Sequence, residues 1–281
     1  MAKILIVGCG AIGSELGRVL SAQGHDVTGL KRKPPILPGG IQYFGADISA
    51  AADLAALDAD FTHAFFIVSP TGRTGQSYRA VYETGLNNLL GKLPKTQWLM
   101  VSSTSVYAQS QGEWVDEDAP AEPTVITSRL IRQAEQSLMA ANGINVVVRF
   151  SGIYGPGREY LIRQALATPS IQQTPPYFTN RIHQHDCVGV LAFLLERCLA
   201  GGGLDQCYIA SDDAPAPAWE VMAWLAAQLN CPPPTVKDAA DAGMNKRCCN
   251  GRLKALGYRF RYPGYKDGYS ELASVGRLRL R

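Results

Sequence analysis

The stretch KILIVGCGAIG, Lys3 to Gly13, decides how the rest of the chain is read. Its first five residues have the aliphatic character of a short strand buried on both faces, and glycines end it. Beyond them Ile12, Leu16, Val19 and Leu20 recur at helical spacing, so the order is strand, turn, helix. In that setting Gly8-Cys9-Gly10-Ala11-Ile12-Gly13, a G-x-G-x-x-G pattern, has a specific physical meaning. Gly8 permits the tight turn, Gly10 lets the backbone approach a pyrophosphate, and Gly13 lets the helix pack on the sheet. The free N–H groups of the first turn, Ala11 and Ile12 included, face the phosphates with partial positive charge.

Working outward, DVTGL (26–30) reads as a second strand, followed by IQYFGAD and HAFFIV (63–68). A helical stretch from about Thr74 to Leu90 leads to QWLMVSS (97–103), and a helix from about Thr124 to Ala141 leads to INVVVRF (144–150). Strands alternating with helices predict an α/β, doubly wound parallel sheet of the Rossmann type. After Tyr154-Gly155-Pro156-Gly157 the rhythm loosens and prolines cluster, with helical stretches near 187–199 and 216–229 and a strand at CYIAS (207–211). The expected division is 1–154 for nucleotide binding and 155–281 for a smaller, irregular substrate-side region that partly returns to the sheet.

The end of the second strand selects the cofactor. An acid there would bind a ribose 2′-hydroxyl and repel a 2′-phosphate. This chain has Leu30-Lys31-Arg32-Lys33 instead, which favours NADP over NAD, with Arg32 the leading phosphate contact and Lys31 the second. Asp47 is a candidate for the adenine amine or an ordinary loop aspartate. Ser69 stands at the end of another predicted strand, on the edge where ligands of open α/β sheets bind.

Composition bounds the remainder. The net charge of +3 hides a basic end: residues 246–281 carry ten Lys and Arg against two acids. No aromatic-interleaved RNA motif or DNA-binding pattern accompanies it, so no nucleic-acid partner is expected. Seven cysteines without a CxxC pair argue against a disulfide framework or structural zinc, and adjacent Cys248 and Cys249 read as reduced thiols. No apolar run is long enough for a membrane span or a signal peptide, so a cytoplasmic protein with no membrane association is expected.

Four motifs in order, the glycine loop, SSTSVY (102–107), RFSGIYGPG (149–157) and RIHQHD (181–186), resemble the extended short-chain dehydrogenase/reductases of the NAD-dependent epimerase/dehydratase family. The resemblance implies a small-molecule substrate with a hydroxyl or carbonyl group, sugar nucleotides among the candidates, and is consistent with a homodimer. Ser103 takes the place of the family's catalytic hydroxyl, the Tyr154-Gly155-Pro156 backbone that of a nicotinamide contact, and His183 with Asp186 that of a His-x-x-Asp pair. Asp186 reads equally as a helix N-cap. The HxHD cluster lacks further metal ligands, and no metal is expected.

The family's Tyr-x-x-x-Lys pair is the departure. With Glu135 as the register, Thr127 occupies the tyrosine position and Ile131 the lysine position. Arg129 and Arg132 cannot serve as acids, because guanidinium stays protonated. Tyr107, Tyr154 and His183 are the remaining titratable candidates for a proton carrier. Two readings stay open at this point: an atypical oxidoreductase or epimerase, and a non-catalytic NADP-binding sensor or regulatory protein.

Overall fold

The computed structural model describes residues 1–35, 41–142, 144–239 and 243–279. Its sheet has seven strands: β1 Lys3–Val7, β2 Asp26–Lys31, β3 Gln42–Gly45, β4 His63–Phe66, β5 Gln97–Ser103, β6 Val146–Phe150 and β7 Cys207–Ala210. Their order is β7-β6-β5-β4-β1-β2-β3. The pairs β1/β2, β1/β4, β2/β3 and β4/β5 are parallel. Backbone bonds from Val147 to Gln206 and from Ser151 to Ala210 keep a constant offset, as a parallel β6/β7 pair requires.

The strands are continuous apolar runs because both faces are covered. Ile4 to Val7, Ala64 to Phe66 and Val147 to Val148 have no exposed surface. Each such aliphatic or aromatic side chain contributes about 1.5–3 kcal/mol of burial, which fixes strands of four to seven residues without help from turn chemistry. Flanking helices are α1 Ala11–Ala22, α2 Gly75–Tyr78, α3 Leu86–Lys92, α4 Ile126–Ala141 and, later in the chain, α6 Gln184–Leu199. The single helix expected over 74–90 is interrupted by a π-helical segment, Arg79–Gly85. At its end Gly85 lies so close to Ile48 that an added Cβ would meet the isoleucine at 2.6 Å.

The chain forms two compact units. One comprises 1–106, 121–149 and 188–208, the other 107–120, 150–187 and 209–281. A division at residue 154 does not describe them. The segment 107–120 goes with the later residues because its strand Glu113–Val115 pairs with Lys246–Cys248. The segment 188–208 goes with the earlier ones because it carries most of α6 and the start of β7.

The second unit is built from two-stranded pieces. Gly152–Tyr154 runs parallel to Arg181–His183, Ser170–Gln172 parallel to Thr235–Lys237, and Phe178–Thr179 antiparallel to Ala216–Pro217. Its core gathers Tyr154, Ile162, Val221, Leu225 and Tyr269 around α5 Tyr160–Leu166, α7 Ala218–Leu229 and α9 Tyr265–Arg279. The helix between the last two, α8, is short, Gly251–Ala255.

Candidate functional site

In the first unit the glycine loop has the geometry its sequence requires. Gly8 has φ +97°, and a Cβ on it would lie 2.5 Å from the Ile67 carbonyl oxygen. Gly13 would place a Cβ 2.5 Å from the Gly8 oxygen. Gly10 differs from both, since a Cβ there would meet nothing within 4 Å. Gly10 is the N-cap of α1, and no side chain caps that helix. The first turn therefore offers Ala11, Ile12 and Gly13 amides to an outside anion, on the open side of Gly10.

The end of β2 supplies positive charge beside this loop. Lys31 Nζ donates to the Cys9 carbonyl at 3.3 Å, and Arg32 Nη2 donates to Thr71 Oγ1 at 2.8 Å. Thr71 follows the exposed Ser69 in the segment after β4. Asp47 is held locally, its Oδ1 accepting from the Ser49 amide at 2.9 Å and the Ser49 hydroxyl at 2.7 Å. Those bonds, with a smaller contribution from nearby Arg32, hold its carboxyl below the usual range. Cys9 is buried, and burial pushes its thiol up to about 11, so the cysteine inside the loop is inert.

Ser103 ends β5 half-buried, and its Oγ accepts from the Ser105 amide at 3.1 Å. Its hydroxyl proton remains to donate. The preceding residue is committed elsewhere: Ser102 Oγ donates to Glu135 Oε1 at 2.5 Å. Glu135, on α4, is fully buried and also receives Arg149 Nε at 2.9 Å, Arg149 Nη2 at 2.7 Å and Arg132 Nη1 at 2.8 Å. This network went unread in the sequence, although an arginine inside the apolar run INVVVRF was its signal. A buried guanidinium in a central strand needs a buried anion. On the same helix Thr127 is half-buried and Ile131 is buried with Leu130, Ala134 and Leu138.

The second unit holds the other sequence candidates. Tyr107 is fully buried, its hydroxyl donates to the Asp116 carbonyl at 2.7 Å, and its own carbonyl accepts from buried Lys246. These contacts suit packing better than proton transfer. Tyr154 stacks on Tyr269 with ring centroids 4.4 Å apart and presents its edge to His183. Burial pushes the Tyr154 phenol far above its ordinary value. His183 packs on Tyr262 at 3.9 Å, and burial, helped by His185, lowers it to about 4. The imidazole is therefore neutral at neutral pH.

Asp186 is not a helix cap. It lies inside the first turn of α6, where its carboxylate accepts from Tyr258 Oη at 3.0 Å and from the amides of Arg261 and Tyr262 at 2.8 and 3.0 Å. In the basic C-terminal region Arg252 Nη2 donates to both carboxylate oxygens of Asp118 at 2.8 Å. Among the described residues no group of three or more His, Cys, Asp or Glu is placed to hold a metal ion. No helix among them is long and apolar enough to cross a membrane.

The profile of the NAD dependent epimerase/dehydratase family matches residues 4–193, from β1 through most of α6. The chain belongs to that family. It is 30% identical to Protein YeeZ of Escherichia coli K12, over 94% of this chain and 97% of that one. It is 26% identical to a 3-diazoavenalumate denitrifying reductase of Streptomyces, over 95% and 98%. Among solved structures, a candidate NAD-dependent epimerase/dehydratase from Methylobacillus flagellatus superposes with TM-score 0.84 at 37% identity, covering 98% and 99% of the two chains. The family is one of NAD-dependent epimerases and dehydratases, and the superposition shows the same Rossmann-type fold in the Methylobacillus protein.

Proposed function

We propose that the protein is an NADP-dependent reductase or epimerase of this family that acts on a hydroxylated or carbonyl small molecule without a Tyr-x-x-x-Lys pair. The observation that carries the reading is the loop itself. Gly10 opens on free space at an uncapped helix N-terminus, while Lys31 and Arg32 stand where a carboxylate would exclude a 2′-phosphate.

In this reading the amides of Ala11, Ile12 and Gly13 hold the pyrophosphate, and Arg32 exchanges its Thr71 hydrogen bond for the 2′-phosphate. The bound nicotinamide supplies or accepts a hydride. Ser103 donates a hydrogen bond to the substrate oxygen whose proton moves. Helix α4 carries neither tyrosine nor lysine. The proton carrier is then Tyr107, Tyr154, His183 or water, and the burial of the three side chains favours water.

The same burial supports the second reading, an NADP-binding sensor. Titration of the purified chain with NADPH and NADH tests the cofactor. NADPH should bind more tightly, and Arg32→Ala should weaken it about tenfold, or 1.4 kcal/mol, while leaving NADH unchanged. Equal affinities for the two in the unaltered protein would remove Arg32 from the site. Ser103→Ala should abolish turnover of any substrate found in a carbonyl panel without changing NADPH affinity. Unchanged turnover in that variant would remove Ser103 from the chemistry, and no turnover of any substrate by the unaltered protein would leave the sensor reading.

A further inference from the structure

Within the second unit a cleft of about 330 Å³ opens beside the strand pair Gly152–Tyr154 and Arg181–His183. One wall is apolar, formed by Leu161, Ile171, Val221 and Met222, and Tyr154, Tyr269 and Arg181 also line the cleft. Most of its polar lining is already satisfied. Asn180 bonds Lys246 and Cys248 through both ends of its amide, Gln164 bonds Tyr160, and Thr179 bonds the Ala216 carbonyl.

The exposed Arg158 also lines the cleft, and among the buried polar groups there the exception is Arg181. It is 4% exposed, and among the described residues no carboxylate lies within ion-pair distance of it. Its terminal nitrogens reach only Thr179, Tyr265 lies under the guanidinium at 5.5 Å, and its Nε has no partner. The hydroxyl of Tyr154, 2% exposed, also has no partner. Gly268 makes that tyrosine's position possible, since a Cβ there would collide with Oη. A guanidinium cannot shed its charge; the buried Asp212 attracts it only from beyond ion-pair distance and is itself pushed up to about 7 by burial, so the close counter-ion that Arg181 lacks is one an incoming anion can supply.

Size and wall chemistry narrow the anion. The cleft sits at the small end of the ~300–1,000 Å³ range of ligand pockets and is roughly twice the ~150 Å³ cavity that holds one benzene. It has room for a ring and a short arm and far too little for a sugar nucleotide. The stacked Tyr154 and Tyr269, with Tyr160 nearby on the lining, suit a flat body. We propose that this cleft binds a small carboxylic acid with an apolar, ring-sized body, its carboxylate received by the Arg181 Nε–H and the Tyr154 hydroxyl. As a substrate class the proposal rests on the reductase reading above; as a binding site it needs no turnover.

Calorimetric titration of the full chain without dinucleotide, using cinnamate, cinnamamide and UDP-glucose, tests it. Cinnamate should bind at least about tenfold more tightly than the uncharged amide, and UDP-glucose should not compete. Arg181→Gln and Tyr154→Phe should each lose most of that preference. Because Arg181 is buried, Leu161→Trp is the second arm: the half-buried leucine stands on the apolar wall, and the larger side chain should abolish cinnamate binding while Arg181 stays in place and the protein still melts cooperatively. Equal affinity for acid and amide, tighter binding of UDP-glucose, or no saturation by cinnamate at millimolar concentration would overturn the proposal. Cinnamate binding in a protein that ignores every dinucleotide would remove the reductase reading alone, and the converse would remove the cleft's ligand alone.

Discussion

Three glycines within six residues carry different burdens. Gly13 is pressed on the Gly8 carbonyl, so Gly13→Ala must displace backbone and should cost about 1–3 kcal/mol in urea unfolding. Gly10 has ordinary extended backbone, φ −78° and ψ −161°, and open space where a side chain would stand. Gly10→Ala should therefore leave the unfolding midpoint within about 0.5 kcal/mol of the original while weakening dinucleotide binding. A Gly10→Ala variant that unfolded readily but bound normally would refute this division of roles. Tyr154 and His183 make the opposite point. Their place in the chain suggested chemistry, and only burial showed that a phenol pushed upward and an imidazole lowered to about 4 are poor proton donors at neutral pH.

Among the elements, α4 illustrates how far sequence reaches. The helix expected from about Thr124 to Ala141 forms over Ile126–Ala141, and β5 runs over the seven residues read from QWLMVSS. The role of Glu135 was not legible, because its partners Ser102 and Arg149 are 33 and 14 residues away and meet only in the folded sheet. Glu135→Ala should leave the Arg149 guanidinium stranded in the core and cost about 3–5 kcal/mol, whereas a paired Glu135→Leu, Arg149→Met exchange should recover most of that loss. Denaturant titration of the singles and the double measures the coupling. Near-equal losses in all three would mean that packing, not charge, is at stake. Asp186 shows the same limit: its place near the start of a helix allowed a cap, yet its carboxylate gathers residues 258, 261 and 262 from more than seventy positions away.

For the whole molecule, two buried groups pull stability in opposite directions with pH. Burial raises Asp212 from 3.8 to about 7, so the folded chain keeps a proton that the unfolded chain releases, and stability falls as pH rises through that window. His183, lowered from 6.5 to about 4, binds its proton in the unfolded chain first, and its contribution grows over pH 4 to 6.5. Asp212→Asn removes only the falling component. Its melting temperature should draw ahead of the unaltered protein between about pH 4 and 7 and keep a constant lead above that. A lead independent of pH would place the Asp212 carboxyl in ordinary solvent.

The fold class was readable because the alternation of strand and helix from β1 to β6 stands in the chain in order. The partition of the chain was not, since strand pairing brings residues 113–115 and 246–248 together across more than 130 positions. That interleaving sets an order of assembly during synthesis. The sheet cannot complete its β7 edge until residue 210 has left the ribosome, by which time the strand Glu113–Val115 has emerged without its partner Lys246–Cys248. A chain truncated after residue 154 would expose the flank of β6, a hydrophobic edge of the kind that chaperones hold and proteases find first.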